Sequence, residues 1–452
     1  MSGLKRVVVL IGSTGTGKSK LGVDLAKALN GEIINADAMQ MYRGCDIASA
    51  KISKLEAQGV SHHMIGIMEP QSVLTVRDFR KMATPIIDDI SDRGKLPIIV
   101  GGTMYYIQSL LWPSLVDDDE KQEMTEVPLT FDGKSRYEYL QEIDPERAAV
   151  LHPANDRKVA RSIQVFLTTG NKHSDIIKEQ ERRNTSNELL YDCNILWLDC
   201  EREPHLLRLK NRIQKMIDEG LWEESFDFIT KHKLSFGEER LEEGGFQTMG
   251  FREFLPMFKA KASRPPRDRE KVKELKSFQD CITNLYNHHC QYARKQLQWI
   301  RNRILVRNAP VHRLDTTSAE DAEVWENTVR TPALEICKWF IDGNPLTSDP
   351  PGFPRSNKVG DKVDTTVMKC DICNRLFQGR EQYHSHLSSR KHKNQLAFLA
   401  RVALHEKRLE QFKRQKLESS QDDHNGVNVK TGTEGQMDEA EAEHLDGNRA
   451  EK

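Results

Sequence analysis

The segment Val7-Val8-Val9-Leu10-Ile11-Gly12-Ser13-Thr14-Gly15-Thr16-Gly17-Lys18-Ser19 decides the fold of this chain. Its apolar first half predicts a buried β-strand, and the amphipathic residues 21–29 after it predict a helix. Between them, glycines let successive backbone N–H groups turn toward an anion, and the helix N-terminus adds a positive dipole. Lys18 supplies a full charge, and the Ser19 hydroxyl can bind Mg²⁺. The segment therefore predicts a phosphate-binding loop that consists of Gly12, Ser13, Thr14, Gly15, Thr16, Gly17, Lys18 and Ser19.

The first 110 residues alternate short apolar runs with amphipathic segments. Buried strands are predicted at residues 7–11, 32–35 and 98–100, and one more at 195–198. Strands that alternate with helices indicate a parallel sheet, because each helix returns the chain across the sheet. The predicted fold class is α/β: a P-loop parallel sheet core with a helical insertion, followed by a zinc finger and a disordered acidic tail.

Composition divides the chain into six segments. A basic module near the C-terminus carries 12 Lys and Arg against four acidic residues, whereas the last segment carries ten acidic residues against three basic ones and should stay disordered. Proline and glycine concentrate just before the basic module, which predicts a linker. The predicted segments are the first part of the P-loop core (1–116), the helical insertion (117–190), the return of the core with basic helices (191–341), the linker (342–365), the zinc finger with a basic helix (366–416) and the acidic tail (417–452).

Composition also excludes several classes of protein. Lys plus Arg (67) and Asp plus Glu (68) nearly cancel, so the net charge of −1 gives the whole chain no preference for a polyanion. No apolar run approaches 18 residues and no signal or transit peptide precedes residue 7, so we expect no membrane partner and a mature chain that begins at or near Met1. Eight scattered cysteines indicate a reducing compartment. We expect a cytoplasmic protein, with the nucleus as a second compartment.

The spacing Cys370-x2-Cys373-x12-His386-x5-His392 is that of a two-Cys, two-His zinc site. Because Cys and His are scarce, unrelated residues rarely produce this pattern. We therefore predict that Cys370, Cys373, His386 and His392 bind Zn²⁺. The basic run at residues 390–393 is similar to that of zinc fingers that bind structured RNA. Two partners of the finger stay open, RNA and protein.

Two positions at predicted strand ends bear on the chemistry. The strand at 98–100 ends in Gly101-Gly102-Thr103, without the Asp that helps to hold Mg²⁺ in P-loop ATPases. Asp37 follows the second strand, and the carboxyl ends of parallel strands face the ligand crevice. Two interpretations of Asp37 stay open, a base or hydrogen-bond acceptor beside the phosphate loop and the N-cap of a helix.

Seven motifs follow one another along the chain: GSTGTGKS (12–19), INADAMQMYRG (34–44), HHM (62–64), VGGTMYY (100–106), DRKVAR (156–161), FQTMGFREF (246–254) and YARKQ (292–296). Together they resemble the tRNA dimethylallyltransferase (tRNA isopentenyltransferase) family. The resemblance covers about residues 5–310, and the finger after it is similar to the eukaryotic branch.

The resemblance implies prenyl transfer. Dimethylallyl diphosphate, the co-substrate, gives its five-carbon group to the exocyclic amine of the adenosine 3′ of the anticodon and releases diphosphate. By this resemblance Asp37 accepts a hydrogen bond from the amine and takes its proton, and Thr103 hydrogen-bonds the bridging oxygen of the diphosphate. Lys18 and Arg212 neutralise the diphosphate, and Ser19 holds Mg²⁺.

A base in the anticodon loop must leave its stack before it can react, so the enzyme needs contacts to the flanking RNA. Basic and aromatic residues gather on the helix predicted around 292–303, and the insertion adds more. A solvated charged face is the other interpretation of these residues. With the resemblance, the predicted contacts to the tRNA anticodon stem-loop are Gln40, Arg157, Arg161, Gln247, Arg294 and Lys295. We expect the protein to act as a monomer.

Two other functions stay open. One is an adenylate isopentenyltransferase, which prenylates free nucleotides; the long helical segment 204–303 and the finger argue against it, because a small acceptor needs neither. The other is an RNA-associated zinc-finger protein whose phosphate loop is a nucleotide switch. Asp37 and Thr103 beside an intact loop disfavour that interpretation.

Overall fold

The computed structural model describes residues 4–113, 127–153, 155–183, 189–233, 243–260, 275–307, 309–344, 348–356, 367–373, 375–378 and 380–401. The chain divides into two compact units, Met1–Val363 and Asp364–Lys452. The predicted acidic tail (417–452) and the end of the basic module after residue 401 lie outside the described residues.

A parallel sheet forms the centre of the first unit. Its strands are β1 (Arg6–Gly12), β2 (Gly31–Asn35), β3 (His62–His63), β4 (Leu96–Val100), β7 (Asp192–Asp199) and β8 (Val311–Asp315). The spatial order is β3-β2-β4-β1-β7-β8, and every neighbouring pair is parallel. The predicted α/β fold is confirmed, and β1 with its phosphate loop lies in the interior of the sheet.

Helices cover the sheet and extend from it. They are α1 (Lys18–Ala28), α2 (Lys54–Ala57), α3 (Val76–Asp92), α4 (Met104–Leu111), α5 (Arg136–Ile143), α6 (Pro145–Val150), α7 (Asp156–Thr169), α8 (His173–Arg183), α9 (Arg202–Glu219), α10 (Leu221–His232), α11 (Phe251–Ala260), α12 (Lys276–Trp299), α13 (Ala322–Trp325) and α14 (Thr331–Ile341). Over the described part of the chain, no helix combines the length and the apolar character needed to cross a membrane.

Successive side chains of β1 enter two separate cores. Val7, Val9 and Ile11 pack on the face covered by α3 and α4, whereas Val8 and Leu10 pack on the face covered by α1 and α14. Side chains alternate between the faces of a strand, so a strand covered on both faces is apolar at every position. This explains the unbroken run at residues 7–11, and it holds the start of the phosphate loop in rigid surroundings.

The two edge strands do not follow from the sequence pattern. β3 contains only two histidines, and β8 carries the exposed Arg313 within its five residues. Each pairs with a single neighbour, β2 or β7. These two segments are strands because they pair with a neighbouring strand, and not because their sequences form an apolar run.

Residues 127–183 contain the helices α5 to α8 and a short hairpin of β5 (Thr130–Phe131) and β6 (Lys134–Ser135). Leu140, Ala148, Val159 and Ile163 form a small core of their own. The predicted insertion boundaries, 117 and 190, stay predictions.

In the second unit, β9 (Val367–Cys370) pairs antiparallel with β10 (Arg375–Gln378), and α15 (Arg380–Ser388) follows. This ββα order is that of small zinc-binding fingers.

Candidate functional site

The carboxyl ends of β1, β2 and β4 meet at a pocket of about 170 Å³. The phosphate loop after β1, Asp37 after β2 and Gly101 after β4 line this pocket, and α9 adds Arg212. Parallel strands end at one edge of a sheet, so residues distant in sequence come together there. Lys18, Asp37 and Arg212 thus share one pocket.

Part of the pocket wall is apolar. Ile33, Ile52 and Ile65 line it together with Ala50 and Val100. A larger cleft of about 1280 Å³ adjoins it and shares Ile52 and Arg212 with it. The site therefore combines an anion-binding side with a surface suited to a small hydrocarbon group.

The phosphate loop runs from the end of β1 to the start of α1. Gly17 precedes the helix with φ of 90°, and a Cβ on it would lie 2.8 Å from the ring of Trp325, so only glycine fits. Thr14, Gly15, Gly17, Lys18 and Ser19 line the pocket. The remaining three predicted loop residues, Gly12, Ser13 and Thr16, are buried.

The pocket contains charged groups of both signs. Burial lowers the pKa of Lys18 to about 8, although the Asp37 carboxylate favours the charged ammonium. Burial raises the pKa of Asp37, against the charges of Lys18 and Arg212. Lys18 Nζ donates to the carbonyl oxygen of Ser13 at 2.8 Å, and Arg212 Nε is buried with no hydrogen-bond partner among the described residues. Two cations and one carboxylate leave the pocket suited to an anion.

Asp37 is held by its own loop. Its Oδ1 accepts a hydrogen bond from the backbone N–H of Met39 at 3.2 Å, just before the 3₁₀ turn Met39–Met41. A Cβ on Gly102 would lie 3.5 Å from Asp37 Oδ2, so this second oxygen faces the loop after β4. The backbone N–H groups of Met39 and Gln40 thus hold the carboxylate, whose Oδ2 lies beside the loop after β4.

Thr103 lies on the loop after β4, next to the Asp37 loop. Its Oγ1 accepts a hydrogen bond from the N–H of Ala38 at 3.0 Å, and its own N–H donates to the carbonyl of Ala36 at 3.1 Å. The hydroxyl of Thr103 therefore keeps its proton for a second partner, and the Tyr292 hydroxyl lies within hydrogen-bonding reach of it. Thr103 is not among the residues that line the 170 Å³ pocket, although its neighbours Asp37 and Gly101 are.

Three residues that the sequence analysis did not assign also reach this site. Gln296 of α12 accepts from the Thr14 N–H and donates to the Gly102 carbonyl. Tyr292, one turn earlier, has its hydroxyl within hydrogen-bonding reach of Thr103 and Gln296, and burial raises its pKa. His205 of α9 contacts the carbonyl of Thr14 through Nε2 at 2.8 Å. In the sequence, only the YARKQ motif associated Tyr292 and Gln296 with the functional site. No sequence pattern associated His205 with it.

The predicted RNA contacts divide into two groups. Gln40 lines the pocket, and its Nε2 donates to the carbonyls of Ser49 and Ala50. Five others lie on exposed positions and do not line the pocket: Arg157, Arg161, Gln247, Arg294 and Lys295.

The four predicted zinc ligands converge in the second unit. The ligand atoms of Cys370, Cys373, His386 and His392 all lie within 4.8 Å of one another. His392 Nδ1 is 3.5 Å from Cys370 Sγ and 3.4 Å from Cys373 Sγ. Sulfur and nitrogen ligands of a tetrahedral zinc ion lie about 3.6 Å apart, given bond lengths of about 2.3 and 2.0 Å. The donor set therefore fits Zn²⁺.

Two protein families match this chain. The sequence model of IPP transferases matches residues 40–303, and that of a C2H2-type zinc finger matches residues 369–392. The zinc finger predicted from the Cys and His spacing is thereby supported.

Individual relatives agree with these families. The tRNA dimethylallyltransferase of Homo sapiens is 37% identical, over 88% of this chain and 87% of the relative. That of Bacillus cereus (strain G9842) is also 37% identical, over 66% of this chain and 88% of the relative. A solved structure of a eukaryotic dimethylallyltransferase acting on tRNA aligns with a TM-score of 0.69 at 30% identity, covering 89% of this chain and 99% of that one.

Proposed function

This chain belongs to the IPP transferase family, and on that premise we propose that it transfers a dimethylallyl group from dimethylallyl diphosphate to tRNA. The acceptor is the exocyclic amine of the adenosine 3′ of the anticodon, and diphosphate is released. The observation that carries the proposal is the shared pocket, in which the cationic Lys18 and Arg212 lie beside Asp37 and an apolar wall.

The phosphate loop would hold the diphosphate of the donor. Backbone N–H groups at the start of α1, with Lys18 and Arg212, neutralise charge that grows on the leaving oxygen. The Ser19 hydroxyl, which lines the same pocket as Asn35 and Asp37, adds to the hard oxygen donors that suit Mg²⁺. When bound, that ion supplies further positive charge at the diphosphate.

Asp37 and Thr103 would act at the reacting centre. Asp37 accepts a hydrogen bond from the adenosine amine, orients it toward the allylic carbon and takes its proton as the C–N bond forms and the C–O bond breaks. The hydroxyl of Thr103 donates to the bridging oxygen, which becomes the leaving oxygen. Much of the acceleration comes from holding amine, carbon and leaving oxygen in line.

The exposed basic residues Arg157, Arg161, Arg294 and Lys295, together with Gln40 and Gln247, are proposed to bind the anticodon stem-loop. Gln40 is suited to the reacting nucleotide, because it lines the same pocket as Lys18 and Asp37. The finger fits Zn²⁺ through Cys370, Cys373, His386 and His392. Monomeric action, in the cytoplasm with the nucleus as a second compartment, stays a prediction from the sequence.

The test uses the purified full-length chain, Mg²⁺ and radiolabelled dimethylallyl diphosphate, with an anticodon stem-loop and AMP as competing acceptors. We expect label in the RNA at the adenosine 3′ of the anticodon, and none after that adenosine is replaced by guanosine. Asp37→Asn is the matched inactive variant. Label in AMP alone would favour the adenylate-type reaction on free nucleotides, and RNA-stimulated ATP turnover without label transfer would favour the nucleotide switch.

A further inference from the structure

We propose that Gln296 is a positioning residue that sets the distance between the phosphate loop and the loop that carries Thr103. Its side-chain Oε1 accepts a hydrogen bond from the Thr14 N–H at 2.8 Å, and its Nε2 donates to the Gly102 carbonyl at 2.9 Å. The two loops follow different strands, β1 and β4. The inference rests on the proposed function, because it assigns the leaving group to one loop and Thr103 to the other.

The chemistry of the side chain matches both loops. A glutamine amide offers an acceptor and a donor in one rigid plane, so it can bond a backbone N–H and a backbone carbonyl at the same time. Glutamate has the same shape but would place a carboxylate oxygen against the Gly102 carbonyl. Gln296 is only 4% exposed, so its bonds are shielded from competing water.

Gly102 leaves the space that this bridge needs. A Cβ at position 102 would lie 2.3 Å from Gln296 Nε2 and 3.5 Å from Asp37 Oδ2. The amide of Gln296 and the carboxylate of Asp37 therefore both pack against the backbone of Gly102. The bridge ends within one residue of Thr103 and directly beside Asp37.

Both backbone polar groups of Thr14 are hydrogen-bonded to side chains. Gln296 holds its N–H, and His205 Nε2 lies 2.8 Å from its carbonyl oxygen. A loop amide that bonds a protein side chain is not available to the diphosphate. The geometry thus makes Thr14 the anchor of the loop, and it leaves anion binding to the amides at the start of α1 and to Lys18.

Opposite effects on chemistry and on diphosphate binding follow from this arrangement. Without the bridge, the diphosphate and the Thr103 hydroxyl lose their fixed separation, and a misplacement of about 1 Å can cost about a hundredfold in rate. Diphosphate affinity should not fall, because the Thr14 N–H becomes free to bind an anion. A residue that contacts the diphosphate would lower both quantities together.

The experiment compares Gln296→Ala and the isosteric Gln296→Glu with the full-length parent. The control is Gln279→Ala, the same substitution at an exposed position of the same helix. Single-turnover transfer is measured at saturating RNA and donor, inorganic pyrophosphate affinity by calorimetry, and folding by thermal unfolding. We expect both Gln296 variants to slow transfer about a hundredfold. Pyrophosphate affinity should be equal to or tighter than that of the parent in Gln296→Ala, in which the Thr14 N–H is released. Gln279→Ala should match the parent.

Two outcomes would overturn the inference. Transfer by Gln296→Glu within about threefold of the parent would show that the bridge sets nothing in the reaction. A parallel loss of pyrophosphate affinity in folded Gln296→Ala would make Gln296 part of the diphosphate site. If the parent itself transfers no dimethylallyl group to RNA, the proposed function fails, and that result is distinct from either outcome.

Discussion

The hydroxyl of Thr103 offers the sharpest test of the proposed chemistry. Its Oγ1 accepts the Ala38 N–H at 3.0 Å, and its own proton can turn from the neighbouring Tyr292 hydroxyl to the leaving oxygen. In Thr103→Val the shape of the side chain is kept, but it can neither accept the Ala38 N–H nor donate to the leaving oxygen. Loss of one donor to a developing oxyanion costs about 2.7–4 kcal/mol, or roughly a hundred- to a thousandfold in rate. The orphaned Ala38 N–H should also lower the free energy of unfolding by about 1–3 kcal/mol.

Thr103→Ser separates these two effects, because serine keeps the donor and the acceptor while it loses a methyl group. The assay is rapid-quench single turnover with saturating RNA and dimethylallyl diphosphate, together with urea unfolding and RNA binding. We expect Thr103→Val to be slow and RNA affinity to be unchanged, with Thr103→Ser within about tenfold of the parent rate. A fast valine variant, or a serine variant as slow as the valine one, would refute the role of the hydroxyl.

Three further predictions follow from the site and the finger. Burial lowers the pKa of Lys18 to about 8, so its charge is present below that pH and disappears above it. Pyrophosphate affinity of the parent should therefore weaken from pH 7 to 9, compared with that of Lys18→Arg. Identical calorimetric profiles of the two proteins would contradict this. Both a chain ending at Val363 and the Cys370→Ser variant should keep prenyl transfer at high enzyme concentration but bind RNA with a lower salt dependence. The slope of log affinity against log salt concentration should fall by about 0.7–0.9 for each RNA phosphate that the finger no longer neutralises. Unchanged salt slopes in filter binding would assign the finger to protein binding. Because β4 is followed by Gly101-Gly102-Thr103 without a carboxylate, we expect no RNA-stimulated ATP hydrolysis, and phosphate release above background would show otherwise.

Much of the pocket could be predicted from local sequence. The loop at residues 12–19 is built from consecutive residues, and its backbone geometry depends on its own glycines and on the strand and helix that flank it. Asp37 could be placed beside it because parallel strands end at one edge of the sheet. The prediction that four Cys and His residues form one metal site needed only their spacing.

The sequence by itself determined the elements whose contacts are short-range: the phosphate loop, the buried strands and the finger. The tertiary structure alone decided which helices support that loop. Gln296 and His205 both hold Thr14, from positions 282 and 191 residues further along the chain. Helical periodicity shows that α12 has a buried face, but it does not show against what that face packs. The difference is physical, because local patterns report what each residue prefers, whereas the pairing of α9 and α12 with the sheet depends on the packing of the whole core.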